Sequence, residues 1–160
     1  MTNTPSIALQ PTTTADLESL FVFQLDEEAI HQAAFTPLHP HDKEAYLAKY
    51  TRLLSDPSIN MHTIRVGGAI VGSIAKFEME GDAEITYWLD RRFWGQGIAS
   101  AALRAFLDLE TTRPLFGRTA YDNTGSQRVL EKAGFQKTGT DRGFANARQA
   151  EIEEFIFRLD

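Results

Sequence analysis

The segment Arg92–Ala99, with the sequence RFWGQGIA, limits what this chain can fold into more than any other feature. It follows an apolar, β-prone run, Ala83–Leu89, and leads into an alanine-rich stretch that favours a helix. A strand, a glycine loop and a helix in this order direct free backbone N–H groups, and the positive end of the helix dipole, at one point. The glycines let the backbone approach an anion closely and tolerate positive φ. The segment therefore predicts a site for phosphate oxygens, with a plain strand–helix turn as the alternative.

The residues around the glycines separate this loop from two common phosphate loops. A Walker loop has Lys followed by Ser or Thr after its last glycine, whereas Ile98 and Ala99 follow here. A dinucleotide-binding loop needs a third glycine and an acidic residue about 20 residues downstream, which this segment does not match. The Arg-x-x-Gly-x-Gly form closely resembles the pyrophosphate loop of the GNAT N-acetyltransferase superfamily, whose members bind acetyl-CoA.

A second segment, Asn123–Phe135, lies downstream and strengthens this resemblance. It is similar to the Asn-x-x-Ser/Ala…Glu-Lys-x-Gly-Phe helix of the same family. Asn123 is a good N-cap and Gly134 is a good residue to end the helix. Trp94 before the glycine and the Asn-x-x-Ser form resemble the RimJ/RimL branch of the family. The resemblance covers Glu78–Phe135 and is weak before that.

Length and pattern predict the fold class. With 160 residues, of which 42% are hydrophobic, the chain can bury one core, and we expect residues 1–160 to form a single N-acetyltransferase domain. Strands dominate the first part and alternate with helices later, which predicts an α/β fold with a mixed sheet and helices on both faces. The GNAT resemblance implies three layers and about six to seven strands. Two central parallel strands, here Ala83–Leu89 and Leu115–Tyr121, would splay apart around the cofactor.

Hydrophobic periodicity and turn residues predict the remaining elements. Helices are expected at Leu17–Leu25 and at Asp42–Leu54, where Asp42 is the cap. Residues 31–42, which prolines interrupt, and residues 139–146 are predicted to be loops. Further strands are expected at residues 7–10, 61–66, 69–77, 135–138 and 152–159, with a glycine turn at 67–68 joining a hairpin.

Composition argues against several classes of protein. The formal net charge of −6 disfavours nonspecific nucleic-acid binding, because that binding depends on clustered Lys and Arg. The sequence has no apolar run of about 18 residues, so we expect no membrane span, and the N-terminus lacks the features of a signal peptide. The absence of cysteine excludes disulfides, a thiol nucleophile and a thiolate zinc site, and it fits a cytoplasmic location. The four histidines do not form a zinc-site pattern, so we expect no metal.

The GNAT resemblance implies a cofactor site made mostly of backbone. The pyrophosphate would bind N–H groups of the glycine loop, and Arg92 would either add charge or remain a solvated loop residue. The pantetheine arm would pair with the end of the preceding strand, and Asn123 would bind the pantetheine or acetyl region from the opposite side. The loop residues are Trp94, Gly95, Gln96, Gly97, Ile98 and Ala99, and the strand-end residues are Trp88, Leu89 and Asp90.

Acetyl transfer from a thioester to an amine requires a base for the amine and a donor for the leaving thiolate. We choose Glu84 as the base, because it lies on the strand leading to the loop, where related enzymes often carry a glutamate. A carboxylate partly screened from water there would have a raised pKa and could accept a proton. An outward-facing strand residue is the alternative interpretation. Many family members place a tyrosine as the acid where this chain has Leu130. The RimL-like pattern implies that Ser126 donates to the sulfur, and Tyr121 is a second candidate.

The sequence thus predicts an N-acetyltransferase that moves an acetyl group from acetyl-CoA to a primary amine by direct attack and releases CoA. The alternatives are a CoA-binding regulatory or sensor module without transfer activity, and a scaffold whose glycine loop is only a turn. The acceptor is open between protein N-termini and small-molecule amines, and a homodimer is one option for the assembly. Glu78, Glu80 or Asp82 could bind a substrate cation, and Gln10 stands where the RimJ/RimL branch typically has Arg.

Overall fold

The computed structural model describes residues 5–160, which fold around one seven-stranded sheet with the order β1-β2-β3-β4-β5-β7-β6. β4 and β5 are parallel, and the other neighbouring pairs are antiparallel. The strands are β1 (Ile7–Pro11), β2 (Asn60–Val66), β3 (Ala69–Met79), β4 (Asp82–Leu89), β5 (Leu115–Ala120), β6 (Gln136–Ala145) and β7 (Ala150–Leu159). The helices are α1 (Leu17–Phe23), α2 (Glu27–Ala33), α3 (Lys43–Leu54), α4 (Ile98–Leu109) and α5 (Thr124–Lys132), with short 3-10 turns at Thr14–Asp16 and Arg91–Phe93. The predicted mixed α/β fold is confirmed.

The main core lies between the sheet and helices α4 and α5. The apolar residues of α4 recur at helical spacing and turn one face of the helix onto the sheet. In β4, alternate residues face this core, and Glu84, Thr86 and Trp88 therefore face the other side of the sheet. There the indole N–H of Trp88 donates to the Phe23 carbonyl of α1 at 3.1 Å. The buried core includes Ile64, Val71, Ile74, Ala83, Ile85, Leu89, Ile98, Ala102, Leu103, Phe106, Leu115 and Leu130.

The two central parallel strands separate towards their carboxyl ends. β4 and β5 pair from Ala83–Leu115 to Ile85–Gly117, and in the described chain the pairing stops there. Each strand continues, β4 to Leu89 and β5 to Ala120. The expected splay between these strands is therefore present, and it leaves an opening beside the glycine loop that follows β4.

The loop predicted at residues 31–42 is wrong in its first part. Helix α2 reaches Ala33, and the Asp26 carboxylate caps it by accepting the Ala29 N–H at 2.9 Å. Ala34 then ends the helix with φ of 66°. The prolines at 37 and 40 prevent a helix only beyond this residue, so they do not indicate a loop for the residues before it.

The loop predicted at residues 139–146 is also wrong, because most of it belongs to the edge strand β6. Its side chains are mostly exposed, so the strand lacks the alternation of apolar and polar residues that identifies a half-buried strand. Gly139 lies where the register with β7 shifts, and Gly143 packs against the Phe35 ring. Glycine at such positions marks a bulge or a close contact as well as a turn.

Among residues 5–160, every helix is too short or too polar to cross a bilayer. The same residues contain no grouping of His, Asp and Glu side chains that could hold a metal ion.

Candidate active site

The glycine loop has the geometry of an anion site. Gly95 and Gly97 have φ of 76° and 78°, in the left-handed region that favours glycine. No side chain caps α4 at Gly97, and no acceptor within residues 5–160 binds the N–H groups from Gly95 to Ser100. A Cβ built on Gly95 would meet nothing within 4 Å, so the space beside the loop is open. These consecutive N–H groups are free to bind phosphate oxygens at the positive end of the α4 dipole.

Side chains around the loop hold its shape. The Asp90 carboxylate accepts the backbone N–H of Arg92 and binds its guanidinium at 2.7 Å. Burial acts to raise the pKa of Asp90, but the hydrogen bonds from Arg92 outweigh it and the pKa lies below its usual range. The Trp94 indole N–H donates to the Leu89 carbonyl at 3.0 Å. The Arg92 side chain, 80% exposed, therefore reaches solvent while Asp90 holds its guanidinium.

The backbone of β4 presents alternate residues to the opening. A Cβ built on Gly72 would collide with the Trp88 carbonyl oxygen, so this carbonyl points towards β3. Asp90 points the same way, because its N–H donates to Val71 at 2.7 Å. Because backbone groups of alternate residues point to opposite edges of a strand, Tyr87 and Leu89 face the opening. Of the three predicted strand-end residues, only Leu89 directs its N–H to the opening. Tyr87, which was not predicted, also faces the opening with its backbone groups.

A pair of hydroxyls spans the opening from β4 to α5. The Tyr87 hydroxyl and Ser126 Oγ are 2.9 Å apart. Burial raises the pKa of Tyr87, and the hydrogen bond with Ser126 acts in the opposite direction. Asn123 is the N-cap of α5, as predicted: its Oδ1 accepts the Ser126 N–H at 3.2 Å, and its amide donates to the Gln32 carbonyl at 3.3 Å. Ser126 thus lies in the opening, together with a tyrosine that the sequence analysis missed.

Thr119 of β5 contributes a second polar group that the sequence analysis missed. Its Oγ1 is buried and has no hydrogen-bond partner within the described part of the chain. It follows Gly117, the last β5 residue that pairs with β4, and shares the sheet face of Gly117. A Cβ on Gly117 would press on Leu130 of α5, so this face of β5 is turned towards α5. A buried hydroxyl without a partner at this point is suited to a ligand's polar group.

Glu84 lies on the opposite face of β4, where it is 3% exposed. Arg118 Nε donates to its Oε2 at 3.2 Å, and Arg118 also pairs with Glu154 at 3.1 Å and Asp141 at 3.3 Å. Burial raises the pKa of Glu84, and the Arg118 guanidinium offsets part of the rise. A carboxylate with a raised pKa is suited to accept a proton near neutral pH.

The other acidic and aromatic candidates lie in different surroundings. Glu78 pairs with Lys76 at 3.3 Å, near the β3–β4 turn and far along β4 from the glycine loop. Glu80 and Asp82 are exposed at the same turn. Tyr121 is 45% exposed after the end of β5. Within residues 5–160, none of these side chains hydrogen-bonds to the Tyr87 or Ser126 hydroxyl.

A cavity of about 220 Å³ lies on the Glu84 face of the sheet. Its walls come from α1, α3, the loop between α2 and α3, and the paired positions Ser73 and Trp88 of β3 and β4. This cavity could not be predicted from the sequence, because its residues come from separate elements. They are Leu20, Phe23, Gln24, Thr36, Pro37, His39, Pro40, Asp42, Ala45, Tyr46, Lys49, Tyr50, Ser73 and Trp88.

Comparison with known proteins agrees with this geometry. A family model described as "Acetyltransferase (GNAT) domain" matches residues 6–136. An uncharacterized N-acetyltransferase, p20 of Bacillus licheniformis, is 34% identical over 83 residues, 49% of this chain. That match spans 47% of p20, so the chain spans about half the length of the curated relative it matches.

Solved structures share the fold at low sequence identity. RimL, a ribosomal-protein α-N-acetyltransferase in complex with coenzyme A, has a TM-score of 0.80 and 20% identity, over 100% of this chain and 97% of RimL. Spermidine N-acetyltransferase from Vibrio cholerae, in complex with CoA and spermine, has a TM-score of 0.78 and 15% identity over 95% of both chains. On the family match, which covers most of its length, the chain belongs to the GNAT acetyltransferase family.

Proposed function

We propose that this protein is an N-acetyltransferase, a single domain over residues 1–160, that transfers the acetyl group of acetyl-CoA to a primary amine. The observation that carries the proposal is the β4–β5 opening, with free loop N–H groups at one end and the Tyr87–Ser126 pair inside it. Family membership favours transfer activity over a CoA-binding sensor module. A cytoplasmic location stays a prediction.

The contacts of a bound CoA thioester can be assigned to individual groups of the described residues. The N–H groups from Gly95 to Ser100 would bind the pyrophosphate, and Tyr87 and Leu89 would offer backbone groups to the pantetheine amides. Thr119 Oγ1, which lacks a protein partner, would bind a polar group of the arm or the thioester. The bound cofactor supplies an activated acetyl group as substrate. Asn123 would contribute by capping α5 and not by contacting the cofactor, because its amide oxygen and nitrogen already bind protein atoms.

Glu84 is the proposed base. The attacking amine must lose a proton as its nitrogen bonds to the carbonyl carbon, and Glu84 would accept this proton directly or through water. The raised pKa of Glu84, caused by burial, improves its basicity. Arg118 limits this effect and also fixes the carboxylate in place. The same contact suits a structural ion pair, so the role of Glu84 needs a kinetic test.

Ser126 and Tyr87 are the proposed donors to the sulfur. When the carbon–sulfur bond breaks, the sulfur gains negative charge, which a nearby O–H group stabilises. Ser126 would donate a hydrogen bond to the sulfur of the bound thioester, and the Tyr87 hydroxyl would give the proton that completes the thiol. The proton accepted by Glu84 leaves to solvent, and Tyr87 regains one from solvent, so the balance closes. Tyr87 thereby takes the role left open by Leu130.

Two measurements test the proposal. Calorimetric titration with CoA measures binding, and release of free thiol from acetyl-CoA in the presence of an amine panel measures transfer. We expect binding in the micromolar to millimolar range that is ordinary for enzyme substrates and thiol release with at least one amine. The absence of binding at millimolar CoA would contradict the cofactor site. Binding without thiol release for any amine would favour the sensor module.

A further inference from the structure

The size of the cavity limits what can enter it. Its volume is about 220 Å³. An engineered protein cavity of about 150 Å³ holds one benzene molecule. The cavity therefore has room for one ring, or an apolar body of that size, with a short linker.

The walls favour an apolar, flat occupant. The ring centroids of Tyr46 and Tyr50 on α3 are 4.4 Å apart, and Phe21, which lies outside the lining, packs edge-on against Tyr46 at 5.1 Å. Trp88 is fixed on the other side by its hydrogen bond to Phe23. Aromatic walls of this kind favour a flat apolar body, because stacked and edge-to-face contacts add to the burial of apolar surface.

The charges of the cavity do not suit a polycation. Among the described lining residues, Asp42 is the one carboxylate, and it accepts the Ala45 N–H as the cap of α3. Lys49, which also lines the cavity, places its ammonium 5.6 Å from the Tyr50 ring. A second or third ammonium group on the substrate would meet a cation here and no cluster of carboxylates to bind it.

The cavity adjoins the proposed site of transfer. Trp88, which lines the cavity, lies between Tyr87 and Leu89, whose backbone faces the opening. Thr86 and Glu84 follow on the same face of β4. A body held in the cavity beside Trp88 would therefore extend a short linker along this face of β4 towards Thr86.

We infer that this cavity selects the acceptor, and that the acceptor is a small primary amine carrying one aromatic ring or an apolar body of similar size. The inference rests on the proposed function for the transfer step and on the cavity for the substrate class. The new N–C bond forms at the primary amine, the carbon–sulfur bond breaks, and the products are the amide and free CoA. Spermidine and small polar amines are the disfavoured classes.

A matched panel of amines tests the substrate class. Phenethylamine carries one ring on a short linker, ethanolamine lacks the ring, and spermidine adds charge. We expect kcat/KM for phenethylamine to exceed both others by at least about tenfold, because burying a ring-sized side chain contributes about 1.5–3 kcal/mol. Equal or higher kcat/KM for ethanolamine or spermidine would overturn the inference while leaving the proposed function intact.

A pair of variants on α3 localises the effect. Ala45 lines the cavity and Ala48 does not, and both are exposed on the same helix. Ala45→Phe fills the cavity and should raise the KM for phenethylamine at least about tenfold by the same burial argument, with the KM for acetyl-CoA unchanged. Ala48→Phe makes the same substitution outside the cavity and should change neither KM. An unchanged KM for phenethylamine in Ala45→Phe would overturn the assignment of the cavity.

Fluorescence separates this inference from the proposed function. The chain has two tryptophans, and Trp94→Phe leaves Trp88 as the one reporter in the cavity. Phenethylamine should change the emission of this variant without any cofactor, and ethanolamine should not. Binding of phenethylamine, with no acetylation of any amine by the wild-type protein, would support the cavity assignment and contradict the transfer activity. Acetylation of another amine with no phenethylamine binding would do the reverse.

Discussion

The β4–β5 opening and the cavity on the Glu84 face, which are the proposed sites for the cofactor and the acceptor, are built in different ways. At the β4–β5 opening, the groups offered to a ligand are mostly backbone atoms from one continuous segment, Tyr87 to Ser100. At the cavity, they are side chains from two helices, a loop and two strands. Backbone geometry requires few specific residues, mainly glycines at positive φ, whereas a side-chain cavity changes with each substitution. The comparison explains how one fold can keep one cofactor and change its acceptor.

Glu84→Gln should have the largest effect on activity, and it tests whether Glu84 is the base. Gln keeps the shape and can still accept the Arg118 hydrogen bond, but it cannot take a proton. We expect kcat to fall by about 10²–10³, in the range for loss of general base catalysis, with CoA affinity unchanged. Steady-state kinetics and calorimetry measure both. If kcat is retained and only thermal stability changes, Glu84 is a structural ion-pair residue.

The titration of Glu84 should also appear in pH profiles. Only ionised Glu84 accepts a proton, so kcat/KM should rise with pH through its raised pKa, on a limb that Glu84→Gln lacks. In the folded state this pKa lies above the unfolded value, owing first to burial. The stabilising contribution is therefore complete below the unfolded pKa and is lost as pH rises through the folded one. Denaturant unfolding of both proteins at a series of pH values should show the free energy of unfolding of the wild type, relative to that of Glu84→Gln, falling as pH rises.

Tyr87→Phe tests whether a side chain acts inside a site made mostly of backbone. The variant keeps the ring and removes the hydroxyl that meets Ser126. We expect kcat to fall about 10- to 100-fold, near the lower end for loss of a proton donor, with little change in CoA affinity. Tyr121→Phe removes an exposed hydroxyl nearby and is the control, with kcat within about twofold of the wild type, as for a surface change. Equal effects in the two variants would remove Tyr87 from the mechanism.

Gly95→Ala tests the glycine loop against a matched glycine. Gly95 and Gly81 have φ of 76° and 86°, and a Cβ on either would meet nothing within 4 Å. Both variants should therefore lose about 1–2 kcal/mol of stability from the left-handed backbone alone. Only Gly95→Ala should weaken CoA binding, by about tenfold or more, because its Cβ restricts close approach of the anion. Calorimetry and thermal unfolding of the pair separate the two effects, and equal CoA affinity would contradict the loop site.

Arg92→Ala should have the smallest effect. Its guanidinium is held by Asp90 and is mostly solvated, so a ligand gains little charge from it. We expect the Kd for CoA to rise no more than about threefold at physiological salt. A rise of tenfold or more, lost at high salt, would mean that the cofactor side depends on side-chain charge as well as backbone.

The two sides also differ in how much the sequence could predict. The glycine loop and the Asn123 cap follow from a local motif and from capping chemistry, the splayed strands were expected from the GNAT resemblance, and the structure contains all three. Tyr87 and Thr119 were missed because their roles depend on which edge and face of a strand they occupy near the end of the pairing. The cavity could not be predicted, since periodicity places residues on elements and says nothing of how α1 and α3 meet β4.

The Trp88 indole bears on how the acceptor range of this protein could be redesigned. Its ring lines the cavity, its N–H binds α1, and its neighbours in β4 turn their amides to the opening. Substitutions at this position would alter the cavity and the strand beside the opening together, and we expect most of them to lower activity. Residues at 45, 46, 49 and 50 of α3 border the cavity from outside the sheet, so substitutions introduced there leave unchanged the strand that is proposed to bind the thioester.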